Sequence, residues 1–325
     1  MLGAGSWGTA LALQFARCGR HVRLWGRNSE DLAKIVADRE NNRYLPGIAF
    51  PDNLSGEADL ATCVDGATDI LIAVPSHGLR ETLRLIVELL NSDVRICWAT
   101  KGFELSTGKL PHQVAAEVLG DERAMAVLSG PTFAKEVGMG LPTAMTVAAN
   151  NEGFARDLAK ELSCESFRAY TSTDMIGVEI GGAIKNVLAI AAGLSDGLGF
   201  GANTRIALIT RGLVEMTRLG VALGAKQETF MGLAGMGDLV LTCTDDLSRN
   251  RRMGLALARG LTIEAAQEEI QQVVEGVLAA KAVREVANAE HVEMPICAVV
   301  YGILYEGVSP MDAVASLMSR AITSE

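Results

Sequence analysis

The run Gly3-Ala4-Gly5-Ser6-Trp7-Gly8, continued by Thr9–Cys18 at helical spacing and stopped at Gly19, is the part of the chain that fixes how the rest is read. It fits G-x-G-x-x-G. The first glycine makes a tight turn, the second lets backbone N–H groups reach a pyrophosphate, and the third lets the helix pack close to a strand. The helix N-terminus adds partial positive charge. Gly3, Gly5, Ser6, Trp7 and Gly8 are therefore candidate dinucleotide contacts. Only Met1 and Leu2 precede Gly3, so the strand that feeds such a turn is nearly absent. Either the start lies upstream or a central strand is clipped, and a clipped strand is expected to destabilise the sheet.

Working outward, short aliphatic or β-branched runs predict strands at His21–Trp25, Asp69–Val74, Val94–Ala99, Ala124–Leu128, Ala144–Ala148 and Phe167–Tyr170. Helical periodicity falls between several of them, as in Leu79–Leu90 and Phe154–Leu162. Apolar strands alternating with amphipathic helices mean a largely parallel sheet covered on both faces. Beyond Ser172 strand signals nearly vanish. Helical stretches follow at Met175–Leu194, Thr204–Leu223, Met253–Arg259, Ile263–Ile270, Val277–Ala289, Pro295–Glu306 and Met311–Ser319, with Gly193, Gly199, Gly201, Gly224 and Gly260 expected as caps or turns. The reading is an α/β Rossmann-like domain over 1–172 and an all-α domain over 173–325.

The 325 residues carry 29 basic and 39 acidic side chains, a formal charge of −10, which argues against a nucleic-acid or membrane-surface binder. No apolar run reaches the roughly 18 residues of a membrane span, and the N-terminus has no signal-peptide pattern. The six cysteines are scattered, with no CxxC pair and no histidine at metal-ligand spacing, so reduced thiols, a cytoplasmic location and no metal are expected. Just past the predicted strand His21–Trp25 stands Arg27, where NAD sites usually carry a carboxylate. An arginine suits a 2′-phosphate, so the cofactor reading is NADP or NAD, leaning to NADP.

Further motifs occur in order: Ala73-Val74-Pro75-Ser76, Lys101-Gly102, Ser129-Gly130-Pro131-Thr132-Phe133-Ala134-Lys135-Glu136, Gly181-Gly182-Ala183-Ile184-Lys185-Asn186-Val187, Gly235-Met236-Gly237-Asp238-Leu239 and Ser248-Arg249-Asn250. With the opening GAGSWGTALA they closely resemble the bacterial NAD(P)-dependent sn-glycerol-3-phosphate dehydrogenases over essentially the whole chain. The resemblance implies reversible reduction of dihydroxyacetone phosphate to sn-glycerol 3-phosphate, feeding phospholipid synthesis, and a helical domain similar to that of 6-phosphogluconate dehydrogenase.

Hydride transfer to a carbonyl needs a proton donor for the developing alkoxide and, here, an anion site for the phosphate. Lys185 is the donor candidate, because it sits in a helix that is apolar or small on nearly every face. A loop lysine, Lys101, follows a strand end, and the resemblance implies that it contacts substrate and cofactor. Arg249 and Asn250 offer a phosphate clamp, since guanidinium gives two parallel charge-assisted bonds. The resemblance adds Ser248 to that clamp and cofactor contact to Arg249. It also makes Asp238 a carboxylate that accepts a substrate hydroxyl or orients Lys185, beside a simple N-cap reading. Thr242 is one turn further on. Gly130 and Thr132 (substrate), Ala134 (cofactor), and Val273 and Glu275 (a cofactor-capping stretch) complete the implied contacts. Arg251 and Arg252 extend a local positive patch, and His77 is given no role. The partners expected are a small phosphorylated three-carbon substrate and a possible second copy in a homodimer. Two rivals remain: a β-hydroxyacid dehydrogenase with the same domain pair, and a dinucleotide sensor without turnover.

Overall fold

The structure is a computed structural model that describes residues 1–319; the end of the expected helical domain, 320–325, lies outside the described residues. The chain forms two compact units, Met1–Lys101 with Lys109–Glu179, and Gly102–Gly108 with Ile180 onward.

The first unit alternates helices and strands: α1 (Ser6–Arg17), β1 (Val22–Leu24), α2 (Ser29–Asp38), β2 (Leu54–Gly56), α3 (Leu60–Val64), β3 (Asp69–Ile72), α4 (Leu79–Ile86), β4 (Arg95–Trp98), α5 (Pro111–Leu119), β5 (Met125–Ser129), α6 (Ala134–Met139), β6 (Thr143–Ala149), α7 (Glu152–Leu162) and β7 (Phe167–Ser172). β1 and β2 pair in parallel, and β3-β4-β5-β6-β7 form a five-stranded sheet, parallel except between β5 and β6. In place of the strand before Gly3, Leu2 alone bridges both sides. Its N–H donates to Leu71 O at 2.8 Å and its carbonyl accepts from Ala73 N at 2.8 Å, while Gly3 N donates to Trp25 O at 2.8 Å. Leu2 is fully buried. One residue thus links the two-stranded and five-stranded sheets.

α1 is rich in Ala and Leu, which lose little freedom in a helix. It buries Leu11, Leu13 and Phe15 against Leu24, Leu71, Cys97 and Val147, each large side chain contributing on the order of 1.5–3 kcal/mol. Gly19, at φ +79°, ends it in a left-handed turn.

The second unit holds α8 from Ile180 on (the whole helix is Met175–Gly197), α9 (Ala202–Ala222), α10 (Asp238–Thr244), α11 (Arg249–Ala258), α12 (Ile263–Ile270), α13 (Glu275–Ala289), α14 (Pro295–Tyr305) and α15 (Pro310–Met318). Gly193 is not a cap as expected. It lies inside α8, where a β-carbon would come 2.0 Å from Arg251 O. Gly254 answers it from α11, 2.1 Å by the same measure from Ile190 O, so the two helices meet backbone to backbone. Gly181 likewise admits Ala234 O at 2.3 Å. Contrary to the sequence reading, α8 does have the length and apolarity of a membrane span, and it is the one such helix among the described residues. Of that span, 94% is buried inside the protein, as a core helix requires.

Candidate active site

The glycine turn is shaped by its neighbours. Gly3 has φ +119°, and a β-carbon there would lie 2.6 Å from Ala73 O; at Gly8 it would lie 1.8 Å from Gly3 O. Gly5 differs. Among the described residues, no atom beyond its two chain neighbours lies within 4 Å of its missing β-carbon. Packing therefore explains Gly3 and Gly8 and does not explain Gly5. Trp7 Nε1 is buried there, without a hydrogen-bond partner among the described residues. Ser6 Oγ donates to Tyr44 O at 2.9 Å.

The sequence reading missed the residue that holds this turn. Asn41, 1% exposed, donates to Ala4 O at 2.9 Å and to Thr9 Oγ1 at 2.7 Å, and its own Oδ1 accepts from Tyr44 N. An asparagine in a loop carries no periodic signal, so only the fold reveals it.

Arg27 stands just past β1, its side chain 78% exposed and only loosely paired with Glu81 at 3.8 Å. Lys101 follows Thr100, whose hydroxyl donates to Val74 O at 2.7 Å and so ties the end of β4 to the end of β3. These loops lie beyond the carboxyl ends of parallel strands, where open α/β sheets bind ligands. Gly130 leaves β5 at φ +155°, with Met145 Cα 2.9 Å from its missing β-carbon, and its carbonyl accepts from Thr132 Oγ1 at 3.2 Å. Ala134 opens α6.

A buried cluster also lies in the first unit. Glu179, 3% exposed, accepts from Trp98 Nε1 at 2.9 Å and from His112 N at 2.9 Å, and its other oxygen lies 2.5 Å from His112 Nδ1. Burial raises the Glu179 pKa and the His112 bonds oppose that rise; burial pulls the His112 pKa down, but Glu179 outweighs it and the net shift is upward.

In the second unit Lys185 is buried, at 7% exposure, and its Nζ donates to Asp238 Oδ1 at 2.5 Å and to Thr242 Oγ1 at 3.1 Å. Asp238 does not cap its helix; it is the first residue of α10 and turns its carboxylate to the amine. A π-helical turn, Leu233–Gly237, precedes it, closed by Gly237 N donating to Gly232 O at 3.1 Å. Such turns are frequent at functional sites. Gly181 allows this turn to approach α8, which brings Asp238 to Lys185.

Ser248 caps α11, its Oγ accepting from Arg251 N at 3.2 Å, and Arg249 is the first residue of that helix. Arg249 is half-buried and makes no ion pair among the described residues. Asn250 is more engaged than a simple donor. Its Nδ2 donates to Asn186 Oδ1 at 2.9 Å, and its Oδ1 accepts from Gly276 N at 2.8 Å. This chain of bonds ties the first turn of α11 to the residue after Lys185 and to the start of α13, where Glu275 sits half-buried beyond an exposed Val273. Arg251 is not part of a solvated patch. It is 8% exposed, bonded to Asp196 at 2.6 Å and paired with Asp246, which makes it structural.

A glycine cradle at a helix N-terminus beside a mostly parallel sheet, and a buried lysine–carboxylate pair on a helical unit, define a dinucleotide-dependent oxidoreductase. Residues 1–155 match the family described as NAD-dependent glycerol-3-phosphate dehydrogenase N-terminus, and residues 174–315 its C-terminus. The chain is 54% identical to glycerol-3-phosphate dehydrogenase [NAD(P)+] of Bartonella quintana, over 100% of this chain and 96% of that one. Against the enzyme of the same name from Pseudoalteromonas translucida it is 55% identical, over 100% and 97%. A crystal structure of glycerol-3-phosphate dehydrogenase from Coxiella burnetii superposes with a TM-score of 0.95, at 50% identity over 98% of each chain. The chain belongs to the NAD-dependent glycerol-3-phosphate dehydrogenase family.

Proposed function

We propose that Lys185 carries the proton in the family's reaction, the exchange of a hydride between NAD(P)H and dihydroxyacetone phosphate that yields sn-glycerol 3-phosphate. The observation behind this is the buried amine fixed by Asp238 and Thr242. The bound dinucleotide would supply the hydride. Gly3, Gly5, Ser6, Trp7 and Gly8 would hold its pyrophosphate, the open space at Gly5 and the N-terminus of α1 fitting an anion. Lys101, Ala134, Arg249, Val273 and Glu275 are the further residues that would hold it.

As C2 accepts the hydride, its carbonyl electrons move to oxygen, and the Lys185 ammonium gives that oxygen a proton. Asp238 offsets the cost of burying the ammonium and orients it. Thr242, which donates to Asp238 O at 2.6 Å, presents its lone pairs to the amine and fixes its direction. In the opposite direction the neutral amine takes the hydroxyl proton. Arg249, Ser248 and the first turn of α11 suit the phosphate, with Asn250 holding that turn in place. Gly130, Thr132 and Lys101 complete the substrate contacts. Arg27 suits the 2′-phosphate of NADP(H).

Following loss of reduced-nicotinamide absorbance with dihydroxyacetone phosphate tests the assignment. Lys185→Ala is expected to lower kcat by roughly 10²–10⁴, the range of general acid catalysis, with NADPH affinity in a binding titration unchanged. Retained turnover overturns it.

A further inference from the structure

Cys18 and Cys164 are far apart in sequence, yet one side chain holds both. Gln14, 1% exposed, donates from Nε2 to Cys18 Sγ at 3.3 Å and to Cys164 Sγ at 3.3 Å. The same nitrogen donates to Leu162 O at 3.0 Å, and Cys18 Sγ donates to that carbonyl at 3.3 Å. The sulfurs are therefore no more than twice 3.3 Å apart. Cys18 caps the C-terminus of α1, and Cys164 lies in the turn between α7 and β7. Cys164 is exposed, whereas Cys63, Cys97, Cys243 and Cys297 are buried.

We propose that Cys18 and Cys164 form a peroxide-reactive thiol pair that oxidises to an intramolecular disulfide. The two thiols differ in the way such a pair needs. Burial alone would raise the Cys164 pKa, but hydrogen bonds from Gln14, Ser166 and Cys18 carry it below the usual value. Burial and the neighbouring Cys164 push Cys18 up to about 11. Cys164 is thus the thiol that reacts first and Cys18 the one that resolves. The Cys164 thiolate attacks a hydroperoxide: an S–O bond forms, the O–O bond breaks, and the leaving oxygen departs as alkoxide or hydroxide and takes a proton. Sulfur is oxidised by two electrons to the sulfenic acid. Cys18 sulfur then displaces that oxygen; the S–S bond forms, the S–O bond breaks, and water leaves with the Cys18 proton. Two thiols and one hydroperoxide give one disulfide, one alcohol or water, and one water. The bond would tie the far end of α1, the helix that starts at the glycine turn, to the α7–β7 turn.

The test treats native, reduced full-length protein with hydrogen peroxide, followed by thiol titration and non-reducing peptide mass spectrometry. Loss of two of the six thiols, a Cys18–Cys164 linked peptide and recovery with dithiothreitol are expected. Cys18→Ser should abolish the link and drive Cys164 to the sulfinic acid, and Cys164→Ser should leave Cys18 reduced; both variants should keep the turnover of the unmodified enzyme. All six thiols surviving peroxide that fully oxidises free cysteine, or a disulfide forming first between other cysteines, overturns the proposal.

Discussion

Lys185 Nζ lies 2.5 Å from Asp238 Oδ1, with the lysine in the middle of α8 and the aspartate opening α10 just after a π-helical turn. The contact exists because Gly181 lets that turn press onto α8. Both partners are buried, so each is the other's main compensation for leaving water. Breaking such a pair from one side is strongly destabilising, because it strands the other charge.

Asp238→Asn keeps the shape and removes the counter-charge. It is expected to lower kcat by at least about tenfold, within the range of an acid–base contribution, and to lower Tm. In the double variant Lys185→Met/Asp238→Asn, Tm should recover while activity stays lost. Thermal melts beside steady-state rates separate the two effects.

Gly5 and Gly8 should respond oppositely to the same change. Gly5→Ala meets open space and should leave Tm nearly unchanged while raising the KM for the dinucleotide by roughly tenfold, about 1.4 kcal/mol. Gly8→Ala drives a β-carbon into Gly3 O and should lower Tm sharply. Equal melting of both variants would remove the ligand explanation for Gly5.

Arg249→Ala should act on substrate binding. A hydrogen bond to a charged group is worth about 1.5–3 kcal/mol, so the KM for dihydroxyacetone phosphate should rise roughly 10–100-fold. An unchanged KM would place the phosphate elsewhere.

His112 and Glu179 give a pH signature. His112 has its folded pKa raised above 6.5, so the stability it contributes is fully present below 6.5 and is lost as pH climbs through the folded value. Glu179, raised above 4.5, becomes neutral at the acid end and weakens the pair there. The Tm difference between wild type and His112→Gln should therefore peak between those two transitions and shrink on either side. A difference that does not vary with pH would show that the pair is not ionic.

The sheet was readable because its central strands are short unbroken apolar runs that only a buried position explains. β2 was not: Leu54–Gly56 holds one apolar side chain and pairs through its backbone with β1. α2 carried its own signal, Asn28 capping Glu30 N and Asp31 N, but its apolar face is only Leu32 and Ile35. The glycine turn, Lys185, Asp238 and Arg249 were legible as motifs. Asn41 and the Asn186–Asn250–Gly276 chain were not, since their partners lie tens of residues away and amides leave no periodic trace. Arg251 misled for the same reason, as Asp196, which neutralises it, stands 55 residues away.

The meeting of α8 and α11 at Gly193 and Gly254 leaves main chain against main chain, with no rotamer there to absorb a shift. The approach of α8 to α11 is thus set by main-chain geometry more than by the repacking of side chains. Warming the protein should loosen its surface loops well before it slides these two helices past one another.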